Sequence, residues 1–420
     1  MNANPRLSDW LLLGSCAFIL TGALLSLILN PAENATEGNP VWQLILTVSY
    51  STVALLLVPY YRETLYVLRR NWFLAALVLL ALVSCLWAQM PLLVLRRGIA
   101  VFGTTLFGVA LALRLSLEEQ LRLLRWVFRI IAVLSLACIV LLPGYGISSG
   151  ADNHGEWRGI FDHKNRLGSI MALSILVEWQ LPAQSRLDKI IKGLALLVSA
   201  LLLVFSDSVT PLIALVAALL FMEVYKLASV RLRLPTYAIF LASAVLGATL
   251  FLGVGGKVMD ALGRSSDLTG RTQIWSMVWS FIPRHPVLGY GYSGFWNGAS
   301  TESGAIDQIV GAMVMYSHNG FLEILLNLGA VGLLLTLVLL GTGVKRAYSF
   351  SESDRSSVSF WPLAFIFYFL LHNLAECTIL FQDLEWAVCV ATVVGTDATL
   401  FAPEARQEEE FLLATSEEFT

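Results

Sequence analysis

About twelve apolar stretches, each near the ~20 residues that a helix needs to cross a hydrocarbon layer, alternate with short polar pieces along this chain. They fall near 10–29, 41–59, 72–90, 96–113, 125–142, 165–181, 189–206, 209–228, 235–254, 318–341, 360–380 and 383–401. Charged residues are only 14% of the total, against roughly 25% in an average soluble domain. The chain therefore reads as an all-α, polytopic membrane protein. A single transmembrane domain spans 1–402, and an acidic tail follows over 403–420. The stretch Trp10–Leu29 is too long for the apolar core of a signal peptide and reads as a retained first helix. Asn34-Ala35-Thr36 matches a glycosylation sequon, which carries little weight without a secretory context. The net charge of −3 implies no nucleic-acid partner. Cys16, Cys85, Cys138, Cys377 and Cys389 all sit in apolar segments without metal-type pairing, so they read as small core residues.

Lys and Arg set the orientation, because they are retained in the cytoplasm. With the N-terminus inside, the inner connections hold 17 of the 27 basic residues and the outer ones nine, Arg129 lying within a helix. Both termini are then cytoplasmic. The outer cations are kept against the insertion rule, and they concentrate at Arg96-Arg97, in the 143–165 loop and in the long 255–317 loop. All five histidines fall outside or in the outer part of a helix. Charged and imidazole groups gathered at one bilayer face point to chemistry on a charged lipid.

The densest cluster is Asp152–Asn165, with His154, Arg158, His163, Lys164 and Asn165. Trp157 with Arg158 and Lys164 can anchor the chain at the headgroups or form a phosphate-binding rim, Arg supplying a planar fork and Lys a mobile charge. Farther on, the spacing of Trp275, Val278, Trp279 and Ile282 predicts an amphipathic surface helix, started at Thr269 or Gly270 and stopped by Pro283 and Pro286. Arg271 then falls in its first turn, where a cation makes sense if an anion is held at the helix start. Gly289-Tyr290-Gly291-Tyr292-Ser293-Gly294 matches a nucleotide-binding spacing formally. No strand precedes it, so the glycines read as tight turns. Ser317-His318-Asn319 opens the next helix. The positive dipole end there disfavours an imidazolium, as suits a general base. Asn319, Glu323 and Asn327 follow as a polar stripe, either functional or interhelical glue. His372, Asn373 and Glu376 form a similar patch, with His372 and Glu376 on one face; hydrogen bonding between helices suits it better than a metal. The last two apolar stretches are divided only by Phe381-Gln382.

Ser84-Cys85-Leu86-Trp87-Ala88 with Arg96-Arg97, then GIFDHKNRLG, GRTQIW, HPVLGYG and SHNGFLEILLNLGAVG, occur in an order that resembles the O-antigen ligase and polysaccharide polymerase (Wzy-type) superfamily, exopolysaccharide polymerases in particular. The resemblance covers mainly 84–103 and 157–335. It implies a GT-C-like, metal-independent, inverting glycosyltransferase without cofactor at the outer face of a bacterial inner membrane, with 143–165 and 255–317 as periplasmic loops. The implied partners are an undecaprenyl-diphosphate-linked glycan, an acceptor glycan or lipid, membrane lipids and other polysaccharide-assembly proteins. By the same resemblance Arg271 contacts the diphosphate and His318 acts near the acceptor. Arg158, His163, Lys164, Asn165, Arg96, Arg97, Asn319 and Glu323 complete the substrate-binding set. One departure stands out: relatives carry Arg in a Ser-x-Ser-Arg turn, and here Val209 follows Ser206-Asp207-Ser208. Arg158, Lys164 or Arg96-Arg97 are the expected substitutes. The alternatives are an O-antigen ligase acting on lipid A-core and, from another class, a lipid-linked sugar transporter or flippase, for which inverted repeats are expected and none is found.

Overall fold

The computed structural model describes residues 6–25, 39–148, 155–231, 267–296, 301–310, 314–353, 356 and 358–397. The apolar stretch 235–254, the sequon, Asp152–His154 and the acidic tail lie outside these residues. Fourteen α-helices carry the described chain: α1 Leu7–Leu20, α2 Pro40–Leu57, α3 Tyr61–Arg70, α4 Trp72–Val83, α5 Pro91–Arg114, α6 Leu117–Leu141, α7 Lys164–Gln180, α8 Arg186–Phe205, α9 Val209–Arg231, α10 Asp267–Phe281, α11 Thr301–Val310, α12 Gly320–Ser353, α13 Trp361–His372 and α14 Leu384–Gly395, with one further helical turn at Pro143–Gly146. Among the described residues the β-structure is one isolated bridge, Ile147 to Trp157. Among the described residues, five helical segments are long and apolar enough to cross a membrane: Pro40–Arg70, Pro91–Arg114, Leu117–Leu141, Val209–Leu227 and Gly320–Ser353. Leu44, Leu55, Leu79, Val133, Val140, Leu220 and Leu334 are exposed on the outside of the bundle. Side chains of this kind in such number suit lipid rather than water as the surrounding medium. The chain is a multi-pass membrane protein.

The helices approach closely where side chains are small, as packing in lipid favours. A Cβ on Gly108 of α5 would come within 2.5 Å of the Ala387 carbonyl oxygen of α14. Beside it Trp386 Nε1 donates to Thr105 Oγ1 at 2.9 Å. Phe221 of α9 stacks on Phe367 of α13 with ring centroids 4.5 Å apart. Eleven of the twelve residues of α13 are buried. A helix that is apolar all round belongs inside, and α13 is the pillar of the bundle. Buried Arg129 of α6 pairs with Glu178 of α7 at 2.6 Å and 3.1 Å, satisfying both charges between helices. One end of the bundle is tied by Arg114–Asp9 (2.6 Å) and Arg346–Asp397 (2.7 Å). The other end carries the clusters of interest.

Two expectations are corrected here. The last two apolar stretches are not divided by Phe381-Gln382 alone, because α13 stops at His372 and α14 starts at Leu384. Asn373 causes the early stop: its Oδ1 accepts from the Thr378 and Ile379 amides, which shapes a buried non-helical connection. The glycines of HPVLGYG are also more than tight turns. Within α12, Gly329 has φ 63° and ψ −163°, a break in the helix. The HPVLGYG backbone fills that break. The Tyr290 and Gly291 amides donate to Leu326 and Asn327 carbonyls at 3.0 and 2.9 Å, and the Ala330 and Val331 amides donate to Pro286 and Val287 carbonyls at 2.9 and 3.2 Å. These four backbone groups of α12, freed by the break, find partners in the inserted segment, as burial in a membrane protein demands. A Cβ on Gly289 would come within 2.4 Å of the Asn327 backbone, and one on Gly329 within 2.3 Å of the Val287 backbone.

The backbone of Gly329 is one that only glycine adopts readily, at about 1–3 kcal/mol for other residues. Gly329→Ala is expected to lower the melting temperature of the detergent-purified protein. Gly341→Ala, in the same helix with open space around it, is expected to leave it unchanged or slightly raised. Equal melting of the two variants would remove the break from the account.

Candidate functional site

At the end of the bundle where α1 and α13 finish and α7, α9 and α12 begin, five segments far apart in sequence bring polar groups together around Glu376. Arg271 of α10 donates from Nη2 to Glu376 Oε1 at 2.9 Å, and from Nη1 to Thr210 Oγ1 at 3.1 Å and to the Ala375 carbonyl. Asn165 of α7 donates from Nδ2 to the same Glu376 oxygen at 3.1 Å, and its Oδ1 accepts from Ser208 at 3.3 Å. His318 brings Nδ1 to 3.9 Å from Glu376 Oε2. Burial alone would push the Glu376 carboxyl up, but the adjoining Arg271 guanidinium and His318 hold it below the ordinary carboxylate range.

His318 is held in an uncommon backbone conformation, φ 53°. Its neighbours determine it. Trp275 Nε1 donates to the Ser317 carbonyl at 2.9 Å, and the Ser317 amide donates to Glu323 at 2.8 Å. Asn319 caps α12, its Oδ1 accepting from the Phe321 and Leu322 amides at 3.1 and 3.0 Å. The Gly320 amide donates to the Asn373 carbonyl at 2.8 Å, docking the start of α12 on the connection that carries Glu376. The His318 side chain keeps 25% of its surface exposed while Nδ1 is buried without a hydrogen bond. Its open edge thus lies away from Glu376. Tyr316 packs against the ring, centroids 4.4 Å apart.

The other residues singled out from sequence divide into two groups. Asn165, Arg271 and His318 meet at Glu376. Glu323 is a structural acceptor instead: besides Ser317 it takes Trp296 Nε1 at 3.0 Å and Asn327 Nδ2 at 2.9 Å. His163 caps α7 through Nδ1, accepting from the Asn165 amide at 3.2 Å. Lys164 is buried against Glu156 at 2.9 Å, and Arg158 donates to the Tyr145 carbonyl at 2.7 Å. Arg97 donates to the Ser293 carbonyl, and to its Oγ at 3.2 Å. Arg96 and Arg97 line a cavity together with Arg166.

Three expectations change. Arg271 is not in the first turn, because α10 already runs from Asp267. Its guanidinium answers to Glu376 and the Ala375 carbonyl, not to an anion at a helix start. The buried face of α10 is Arg271, Ile274, Val278 and Phe281, continued by Ile282 just beyond it, and Trp279 points outward; the Trp-to-Trp spacing is set one residue off the packed stripe. His372 and Glu376 do not share a helical face, because α13 ends at His372. The expected hydrogen bonding between helices is present, His372 meeting Glu385 at 2.9 Å and Ser169 at 3.1 Å inside the bundle.

Residues 194–337 match a family model described as O-antigen ligase. The match takes in the start of α9, Arg271, HPVLGYG and His318. The chain is also similar to "Exopolysaccharide production protein ExoQ" of Rhizobium meliloti (strain 1021), 25% identical over 329 residues and 73% of each chain. Both likenesses point to the O-antigen ligase and polysaccharide polymerase superfamily. The site in this chain includes Glu376, Ser208 and Thr210, which sequence reasoning did not select. Glu376 had a signal, an acid in an apolar stretch, but its neighbour His372 drew it into the wrong partnership.

Removing one member of a buried ion pair strands the other, at about 3–5 kcal/mol. Glu376→Ala is expected to destabilise by that order, and adding Arg271→Met is expected to recover most of the loss. The depressed Glu376 carboxyl contributes its stability above the usual carboxylate range and loses it as pH falls through the lowered value. Thermal melts of the wild type are therefore expected to carry a Glu376-dependent loss that develops progressively below the ordinary carboxylate range, with none between about pH 5 and 8. A Glu376-dependent fall already at pH 6 would contradict the pairing.

Proposed function

We propose that this protein is an exopolysaccharide polymerase, which transfers a glycan from undecaprenyl diphosphate to an acceptor hydroxyl at the outer face of a bacterial inner membrane, with both termini cytoplasmic. Glycan transfer of the ligase or polymerase type is the activity of the superfamily. The observation that carries the finer reading is His318, an imidazole whose one edge is turned to a buried carboxylate and whose other edge is open. That is how an oriented general base is built. Glu376 faces Nδ1 at 3.9 Å, and such contacts tighten when substrate binds. Arg271 and Asn165 hold Glu376 in turn. Arg271 acts here as a positioning residue.

In the proposed reaction the acceptor oxygen attacks the anomeric carbon of the donor. The bond from that carbon to the diphosphate oxygen breaks, the electron pair leaves with the diphosphate, and the hydroxyl proton passes to the open edge of His318. A single displacement inverts the anomeric centre. The diphosphate is a good leaving group, so this step requires no metal. An O-antigen ligase that passes the glycan to lipid A-core would use the same chemistry; the name of the Rhizobium relative favours exopolysaccharide. A transporter would need polar groups across the middle of the membrane, whereas this network sits at one end of the bundle.

His318→Ala is expected to slow transfer by about 10²–10⁴-fold while binding of the lipid donor is kept. The check is an assay with purified protein and lipid-linked oligosaccharide, product and acceptor being read by mass spectrometry. Wild-type rates from His318→Ala would sink the base assignment, and sugar-lipid movement without a new glycosidic bond would favour a transporter.

A further inference from the structure

A second group of charges gathers at the end of the bundle opposite His318, where α6 and α8 begin and α7 ends. Arg129 of α6 and Glu178 of α7 are bonded there through both carboxylate oxygens, so each is already satisfied. Lys192 of α8 donates from Nζ to the Leu181 carbonyl at 2.7 Å. Its charged neighbours are Glu178, Arg125, Asp188 and Arg129. Asp188 lies toward the surface and accepts the Gln184 amide at 3.0 Å. Arg125 lies one turn before Arg129 on α6, and its Nε is buried without a hydrogen bond among the described residues. Arg122, nearly a turn farther back, is paired with Glu118 at 2.6 Å, both partly exposed. Arg125, Arg129 and Lys192 therefore gather around a single buried carboxylate, that of Glu178.

The surface around this group suits lipid. Trp126, three residues before Arg129, and Trp179, next to Glu178, are exposed. The Arg129 guanidinium lies 5.5 Å from the Trp126 ring centroid. The Arg129–Glu178 pair thus sets the level of both indoles, and exposed tryptophans mark the headgroup level of a bilayer. Ile130 and Val133 continue from Trp126 along α6, and Leu187, Ile190 and Leu194 stripe α8, all of them exposed. Cations in excess between helices at headgroup depth draw the phosphate of an anionic lipid. Arg brings a planar fork of donors to that phosphate, and Lys a mobile point charge.

We infer that Arg125 and Lys192 form a binding site for the phosphate of an anionic phospholipid, at the end of the bundle opposite His318. The Arg129–Glu178 pair is the frame that holds α6 against α7 beside it. Trp126 meets the glycerol region, and the acyl chains run along Ile130 and Val133. A zwitterionic headgroup carries its own cation into this surplus of positive charge, whereas an anionic one brings only the charge the site lacks. The bound lipid ties α6 to α8 across the end of α7, the helix whose other end carries Asn165. The site does not depend on the glycosyl-transfer reading of His318.

The test is titration of the detergent-purified full chain with phosphatidylglycerol, read by native mass spectrometry, with phosphatidylcholine and inorganic phosphate as comparison ligands. Wild type is expected to prefer phosphatidylglycerol to phosphatidylcholine, and inorganic phosphate is expected not to displace it. Arg125→Gln and Lys192→Gln are each expected to weaken phosphatidylglycerol binding about tenfold, the size of one charge-assisted contact. Arg125→Lys, which keeps the charge, is expected to lose less. Lys189→Gln, which removes an exposed cation of the same end, is expected to bind as wild type does. Arg125→Gln removes an unbalanced charge, so its melting temperature without added lipid is expected to equal or exceed that of wild type, which keeps lost binding apart from misfolding; a lower one would contradict the charge surplus. Wild-type affinity in both Arg125→Gln and Lys192→Gln would overturn the inference. Equal losses from Lys189→Gln and Arg125→Gln would also overturn it, by making the attraction that of the whole basic surface. Displacement by inorganic phosphate would do the same, by making this a site for soluble anions.

Discussion

The Arg271–Glu376 ion pair is the interaction on which the site depends. Two opposite charges are buried at the end of a lipid-facing bundle, and neither is tolerable there alone. Their pairing ties α10, outside the main bundle, to the connection that follows the central helix α13. Asn165 adds α7, and Thr210 adds α9. A buried ion pair is weak as a source of net stability. Its use here is geometric, because it fixes one carboxylate oxygen so that the other faces His318.

That arrangement holds only if α12 begins in the right place. The chain achieves this by breaking α12 at Gly329 and inserting the HPVLGYG backbone into the gap. The inserted strand of chain also touches the SCLWA segment, where Tyr292 donates its amide to Ser84 Oγ at 2.8 Å. The motifs that occur in order along the sequence are thus neighbours in space. They form a backbone frame, and the frame presents His318 to Glu376.

Much of the helical architecture was legible, because a run of about 20 apolar residues has few options. His318, Arg271 and Asn165 were legible as well, since polar groups in so apolar a chain stand out. Their partners were not. Glu376 looked like part of an i, i+4 pair with His372, and only the Asn373-shaped connection turns it toward Arg271. Lys164 and Arg158 looked like phosphate ligands; their partners Glu156 and the Tyr145 carbonyl lie in the same loop, and local composition does not reveal which cations are already satisfied. The α12 break was hidden for a different reason. Leu326 to Leu333 reads as unbroken helix, and the backbone that interrupts it arrives from some forty residues earlier, near Val287.

On the proposed mechanism Arg271 and Glu376 act on His318 as one unit. A double-mutant cycle on the transfer rate measures this, because residues that serve one function together are strongly non-additive. Purified Arg271→Gln, Glu376→Gln and the double variant would be assayed with saturating lipid-linked donor. A common unit predicts that all three fall to nearly the same residual rate. Losses in the double variant that equal the product of the single losses would contradict it.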